Sequence, residues 1–164
     1  MTKTRSWLVL AALIVVADQL TKYAVTRSFA VGETVAVAPF LNLVLVYNPG
    51  AAFSFLSDHS GWQRWLFIAI ALAASAWIVY LLARYPHQRP FALALSLVLA
   101  GAIGNVIDRI AVGAVIDFAD FHAWGHHWPA FNVADSAISV GAALLILDSF
   151  RARHADEPQR NESN

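Results

Sequence analysis

The sequence predicts a membrane α-helical fold of four transmembrane helices, with a small β-structured extracytoplasmic segment between the first and second. Three observations carry this expectation. The chain of 164 residues is 59% hydrophobic and only 13% charged, whereas a soluble domain carries roughly 25% charged residues; its mean hydropathy is +0.56. Four segments reach the length of about 20 mostly apolar residues that a hydrocarbon core of about 30 Å demands. Six Trp and four Tyr suit the two membrane interfaces, where amphipathic rings settle.

The elements follow in order. Lys3 and Arg5 precede an apolar run over about 6–27, which begins like a signal peptide. Asp18 and Lys22 interrupt the run and no small-residue cleavage site follows it, so a retained anchor is expected. The outer loop 28–60 comes next. Thr34 to Tyr47 is rich in Val and Leu, punctuated by Pro39 and Asn42, which reads as short strands. Asn48-Pro49-Gly50 is a turn signal, after which Ala51 to Leu56 could pair back, and Gly50 together with 57–61 makes the outer segment a candidate lid. The second helix is expected over about 61–83, uncharged from Trp65 to Ala83, and the third over about 91–110. The outer loop 111–128 contains Trp124, His126, His127 and Trp128 and reads as an interfacial loop. The fourth helix is expected over about 129–150. Residues 1–150 thus form one four-helix membrane domain, and 151–164 read as a polar, disordered cytoplasmic tail.

Basic residues set the orientation. Lys3, Arg5, Arg84, Arg89, Arg151, Arg153 and Arg160 fall on one side; Lys22, Arg27, Arg64 and Arg109 sit at helix ends on the other. Both termini are therefore expected in the cytoplasm and both longer loops outside. Formal net charge is zero and the basic residues do not cluster, so nucleic acid is not an expected partner. There is no cysteine, which excludes disulfides, thiolate metal sites and a cysteine nucleophile.

Charge inside the bilayer is the most informative feature, since an Asp or Arg at a helix centre costs about 2.5–3.5 kcal/mol on insertion scales. Asp18 and Lys22 lie in the outer half of the first helix, and Asp108 and Arg109 at the outer end of the third. Asp117 lies in the second outer loop and Asp135 in the first turns of the fourth helix. All six converge on the outer surface. Asp18 and Lys22 are four apart and share a helix face, as do Asn105 and Arg109, while Asn132 and Asp135 are three apart. Gly101 and Gly104 permit close helix approach. Two adjacent carboxylates can hydrolyse a peptide without a metal, because like charges resist double ionisation and share one proton. Asp18, Asp108, Asp117, Asp120 and Asp135 are the candidates. Asp18 has Lys22 beside it and Asp108 has Arg109, which leaves Asp117 and Asp135 as the better pair and the other two as structural ion pairs. Asp120 is expected to be solvated. His122, His126 and His127 lack carboxylates or thiols at ligand spacing, so they read as interfacial groups rather than metal ligands.

Five segments then resemble the signatures of bacterial lipoprotein signal peptidases (type II signal peptidases). They are Asp18-Gln-Leu-Thr-Lys22, Tyr47-Asn48-Pro49-Gly50-Ala51-Ala52-Phe53-Ser54, Gly104-Asn105-Val-Ile-Asp108-Arg109, Val115-Ile-Asp117-Phe118 and Phe131-Asn132-Val-Ala134-Asp135-Ser136. They stand in the family's order and spacing; Pro49, where many members carry a small or hydroxyl residue, is the local departure. The resemblance implies an aspartyl endopeptidase of the bacterial inner membrane, with Asp117 and Asp135 catalytic at the periplasmic surface. It implies cleavage of diacylglyceryl-modified prolipoproteins before the lipidated cysteine, with no cofactor or metal. It places Asn48, Gly50, Asn105, Arg109, Asn132 and Ala134 along the site, and Asp18, Lys22, Gly104 and Asp108 in support. Membrane lipids are expected neighbours, a monomer is the simplest assembly, and inhibitors of the globomycin type are expected to occupy the aspartate site. The competing reading is a small proton-coupled transporter, since intramembrane acids also mark ion pathways. Internal repeats and midplane acids would favour it, and the sequence offers neither. A non-catalytic membrane assembly protein would not need two aspartates on separate elements at one level.

Overall fold

The computed structural model describes residues 3–50 and 61–161, with side chains described as far as Arg151. The elements run α1 (Lys3–Ser28), β1 (Thr34–Ala38), β2 (Leu41–Asn48), α2 (Trp62–Arg84), α3 (Arg89–Val112), β3 (Val115–Ala123), β4 (His126–His127) and α4 (Val133–Asn161). All four helices are long and apolar enough to cross a membrane, α4 over Val133–Arg151. Leu13, Leu20, Ile70, Trp77, Ile146 and Leu147 point outward from the bundle, as lipid-facing side chains do. The chain is a multi-pass membrane protein.

Helix α3 is the axis of the bundle and packs against the other three, most fully against α4. Small residues make that contact possible. A Cβ on Gly101 would run into the Ala134 carbonyl oxygen, and one on Gly141 would lie 2.8 Å from the Ala94 carbonyl oxygen. The apolar core joins Ala11 of α1, Ile78 and Leu82 of α2, and Ala92, Leu95, Leu99 and Ala100 of α3. At one end of the bundle the Trp7 indole donates to the Pro86 carbonyl at 3.0 Å, and the Thr4 hydroxyl donates to the Leu82 carbonyl, tying α1 to the α2–α3 turn.

At the other end sits a four-stranded antiparallel sheet in the order β1-β2-β3-β4. The strands between the first two helices are as expected, but the second outer loop is not a loop. Strand β3 pairs along β2, setting Asn48 opposite Val115, Tyr47 opposite Ile116 and Val46 opposite Asp117. Its acidic and histidine residues disguise a strand whose first residues, Val115, Ile116 and Asp117, are all buried. Ile116 packs with Val25 of α1 and Leu45 of β2, which fastens the sheet to the helix ends. The Ala51–Leu56 segment that could pair back, and residues 57–60 of the candidate lid, lie outside the described residues.

Two boundaries are corrected. Helix α4 starts at Val133 rather than near Pro129, because Asn132 caps it: the Asn132 Oδ1 accepts the Asp135 N–H at 2.8 Å. At its far end the backbone stays helical to Asn161, where a disordered tail was expected from residue 151. Ala152, Arg153 and Ala155 are good helix formers, and extending an existing helix avoids the cost of nucleation.

Candidate active site

Lys22 is the buried hub of the site. Its Nζ lies 2.8 Å from Asp18 Oδ2 and 2.7 Å from Asp108 Oδ2, and it donates to Asn105 Oδ1 at 3.2 Å. Lys22, Asp18 and Asp108 are each no more than 2% exposed. Charges so far from water persist only when paired and hydrogen-bonded, and here every oxygen is used. Asp18 Oδ1 accepts the Ala134 N–H at 2.9 Å, which pins the first turn of α4. Asp108 Oδ2 accepts the Ile116 N–H at 3.1 Å, which pins the start of β3. The Gln19 amide donates to Asp18 Oδ2, the Gly104 carbonyl and Asp108 Oδ1 at 3.0–3.2 Å. The triad thus fixes two backbone atoms, each one residue before an aspartate: Ala134 before Asp135 and Ile116 before Asp117.

Three asparagines then orient those aspartates. Asn132 donates to Asp117 Oδ1 at 2.7 Å while its own oxygen caps the N–H of Asp135, so one side chain serves both. Asn105 donates to Asp135 Oδ1 at 2.8 Å. Asn48, at the end of β2, donates to Asp117 Oδ2 at 3.1 Å. The Gly50 N–H donates to Asn48 Oδ1 at 2.9 Å and so fixes which face of that amide meets Asp117. Gly50 has φ +107°, a conformation that L side chains rarely adopt. Gly113, at φ +85°, closes α3 in the left-handed conformation and turns the chain into β3 two residues later.

The surroundings of Asp117 disfavour its charged form. Burial pushes the Asp117 carboxyl up to about 6; the donated bond from Asn48 opposes this, the charge of Asp135 adds to it, and Asn132 and Lys22 oppose it. Arg109 stands within electrostatic reach of Asp135, Asp108 and Asp117, with its guanidinium 5.2 Å from the Phe67 ring centroid. A Cβ on Gly104 would fall 2.6 Å from Asp18 Oδ2, so the glycine keeps room for the buried carboxylate.

A family model described as signal peptidase (SPase) II matches residues 10–151. The chain belongs to the signal peptidase II family. Members are aspartic peptidases. The chain is 59% identical over 145 residues to the lipoprotein signal peptidase of Paraburkholderia phymatum, covering 88% of this chain and 87% of the relative. It is 57% identical, with the same coverage, to that of Burkholderia mallei. Two solved structures of bacterial membrane enzymes, determined by the in meso method, share its fold. The one at 1.9 Å resolution has a TM-score of 0.78 at 34% identity, covering 87% of this chain and 91% of that one. The one at 2.3 Å resolution has a TM-score of 0.81 at 32% identity, covering 92% and 91%.

Within this signal peptidase II, every site residue named from the sequence lies in one connected network, but three roles change. Asp108 pairs with Lys22 rather than Arg109, because consecutive helical residues point about 100° apart and α1 supplies the cation. Ala134 is fully buried, gives its N–H to Asp18 of α1 and packs against Gly101 and Gly104 of α3, so it serves the docking of α4 on both helices. Asp120 is not merely solvated: Asn42 and His127 each donate to it at 2.9 Å. Burial acts to raise that carboxyl, but these two bonds outweigh it and hold Asp120 below the ordinary range. Gln19 was missed, although it stands between Asp18 and Lys22 on α1, where an uncharged amide inside a charged motif is itself a signal.

Proposed function

We propose that Asp117 and Asp135 are the catalytic dyad with which this signal peptidase II removes the signal peptide from diacylglyceryl-modified prolipoproteins, cutting before the lipidated cysteine. The observation that carries the assignment is the doubling of Asn132, which holds Asp117 through its amide nitrogen and caps Asp135 through its oxygen. Asp117 lies within the field of the Asp135 charge, and like charges held close together resist double ionisation. The ionised member takes a proton from a water, which attacks the scissile carbonyl carbon. The protonated member donates to the carbonyl oxygen, and the resulting tetrahedral species collapses with a proton passed to the leaving amide nitrogen. Arg109 and the Asn48–Gly50 turn flank the substrate backbone, while Asp18, Lys22 and Asp108 hold the two aspartate-bearing elements. The bundle's apolar surface accommodates the acyl chains and the signal helix. Supporting the substrate class, the relatives named above are lipoprotein signal peptidases. The transporter reading loses its support with the family match.

The same reading places the enzyme in the bacterial inner membrane, as a monomer, with both termini cytoplasmic and the sheet in the periplasm, in accord with the positive-inside rule. Globomycin-type inhibitors would then compete at the aspartates. The test is turnover of a fluorescent diacylglyceryl peptide by purified Asp117→Asn and Asp135→Asn proteins. Each substitution should lower the rate by about a hundred- to ten-thousand-fold without loss of fold; full activity in either variant refutes the dyad. Because the chain has no cysteine, Thr34→Cys can be labelled uniquely. Labelling only from the cytoplasmic side would overturn the orientation.

A further inference from the structure

The bundle end opposite the aspartates contains a cleft of about 170 Å³ lined by Lys3, Ser6, Trp7, Leu10, Pro86 and Arg89. Among the described residues two cations face it and no acid does. Among the described residues neither Lys3 nor Arg89 forms an ion pair. Each belongs to the first turn of its helix, and neither α1 nor α3 carries an acid there. The bond from Trp7 to the Pro86 carbonyl makes one wall rigid. Depth orders the chemistry. Lys3 and Arg89 begin the membrane spans Lys3–Ser28 and Arg89–Val112, Ser6 and Trp7 lie a turn deeper, and Leu10 a further turn into the hydrocarbon. Cation, hydroxyl, indole and aliphatic side chain therefore follow one another as phosphate, glycerol and acyl chain do in a phospholipid.

We propose that this cleft is a binding site for one anionic phospholipid, its phosphate held between Lys3 and Arg89 and its acyl chain laid along Trp7 and Leu10. A basic pocket between helix ends has the charge such a headgroup seeks, and the apolar wall below the cations separates a lipid from a free phosphate. Cations that served only to orient the chain in the membrane would need no cleft and no apolar floor. The assignment is independent of which aspartates act in catalysis.

The test uses the full chain in mild detergent, titrated with phosphatidylglycerol or phosphatidylcholine and read by native mass spectrometry. Phosphatidylglycerol should be retained in preference. A surface cation contributes about fivefold in affinity, so Lys3→Gln with Arg89→Gln should weaken retention roughly thirtyfold, to the phosphatidylcholine level. Each single substitution should cost about fivefold and serves if the double variant does not fold. The control pair Arg5→Gln with Arg84→Gln removes the same charge from the same bundle end but lies outside the lining, and should change retention less than about threefold. Equal losses in both pairs would mean diffuse attraction and overturn the site. Displacement of the lipid by millimolar glycerol phosphate would reduce it to a headgroup-only contact and equally refute a lipid site.

Discussion

Lys22→Met is the most informative perturbation of the buried network. The substitution keeps an unbranched side chain, one atom shorter, and removes one charge. It strips the counter-ion from Asp18 and Asp108, which the Lys22 Nζ meets at 2.8 and 2.7 Å and which are both almost wholly excluded from solvent. Breaking a buried ion pair from one side costs about 3–5 kcal/mol, because the charge left behind has neither water nor partner. Here two carboxylates are left behind, so the loss should reach at least the lower figure, a factor of roughly 150 in the folding equilibrium. Activity should fall as well, because Asp18 and Asp108 carry the N–H groups of Ala134 and Ile116 and so set where Asp135 and Asp117 stand. Denaturant unfolding of the purified protein, alongside peptide turnover, measures both effects. Neutralising the remaining charges in an Asp18→Asn, Lys22→Met, Asp108→Asn triple variant should restore most of the stability, since a neutral network avoids the uncompensated charge. A Lys22→Met protein within about 0.5 kcal/mol of the original, the range of ordinary surface substitutions, would show that the triad does not hold the site together.

Asn48→Ala removes a bond that favours the ionised form of Asp117, whose carboxyl stands at about 6. Without it the group binds its proton more tightly, so the limb of the pH–rate profile that belongs to Asp117 should move to higher pH by about one unit. The direction is the same whether Asp117 acts as acid or base, and an unmoved limb would remove Asn48 from the tuning of the dyad. Gly101→Ala places a methyl group against the Ala134 carbonyl and Ile138. Overpacking of this kind costs about 1–3 kcal/mol, and because Ala134 precedes Asp135, turnover should fall further than stability alone explains. Unchanged turnover would mean that α4 absorbs the strain without moving the aspartate.

The four helices were legible because a bilayer demands long apolar runs and tolerates few interruptions; α2 differs from its expected span by one residue at each end. The acids were legible for the complementary reason, since each interruption is costly and therefore informative. Strand β3 was hidden. Its pairing partner β2 lies far away in sequence, and Asp117, Asp120 and His122 break the apolar alternation that marks a strand. The partner of Asp108 was hidden too, because adjacency along the chain suggested Arg109 while the fold supplied Lys22 from another helix. Local rules read shared helix faces well, as the spacing of Asp18 and Lys22 shows, although they missed the cap at Asn132. They do not read which helix stands next to which.

The bond between the Asp18 carboxylate and the Ala134 N–H spans 116 residues. During synthesis the first helix therefore enters the membrane with an acid whose partner has not yet been made. Lys22, one turn away on the same helix, can neutralise it in the interval. The two aspartates cannot take up their relative positions until the last helix has been inserted and docked on α3. With Asp117 and Asp135 acting as proposed, a chain whose last helix has not docked should be inert, which would make proteolytic competence a checkpoint on completed membrane assembly.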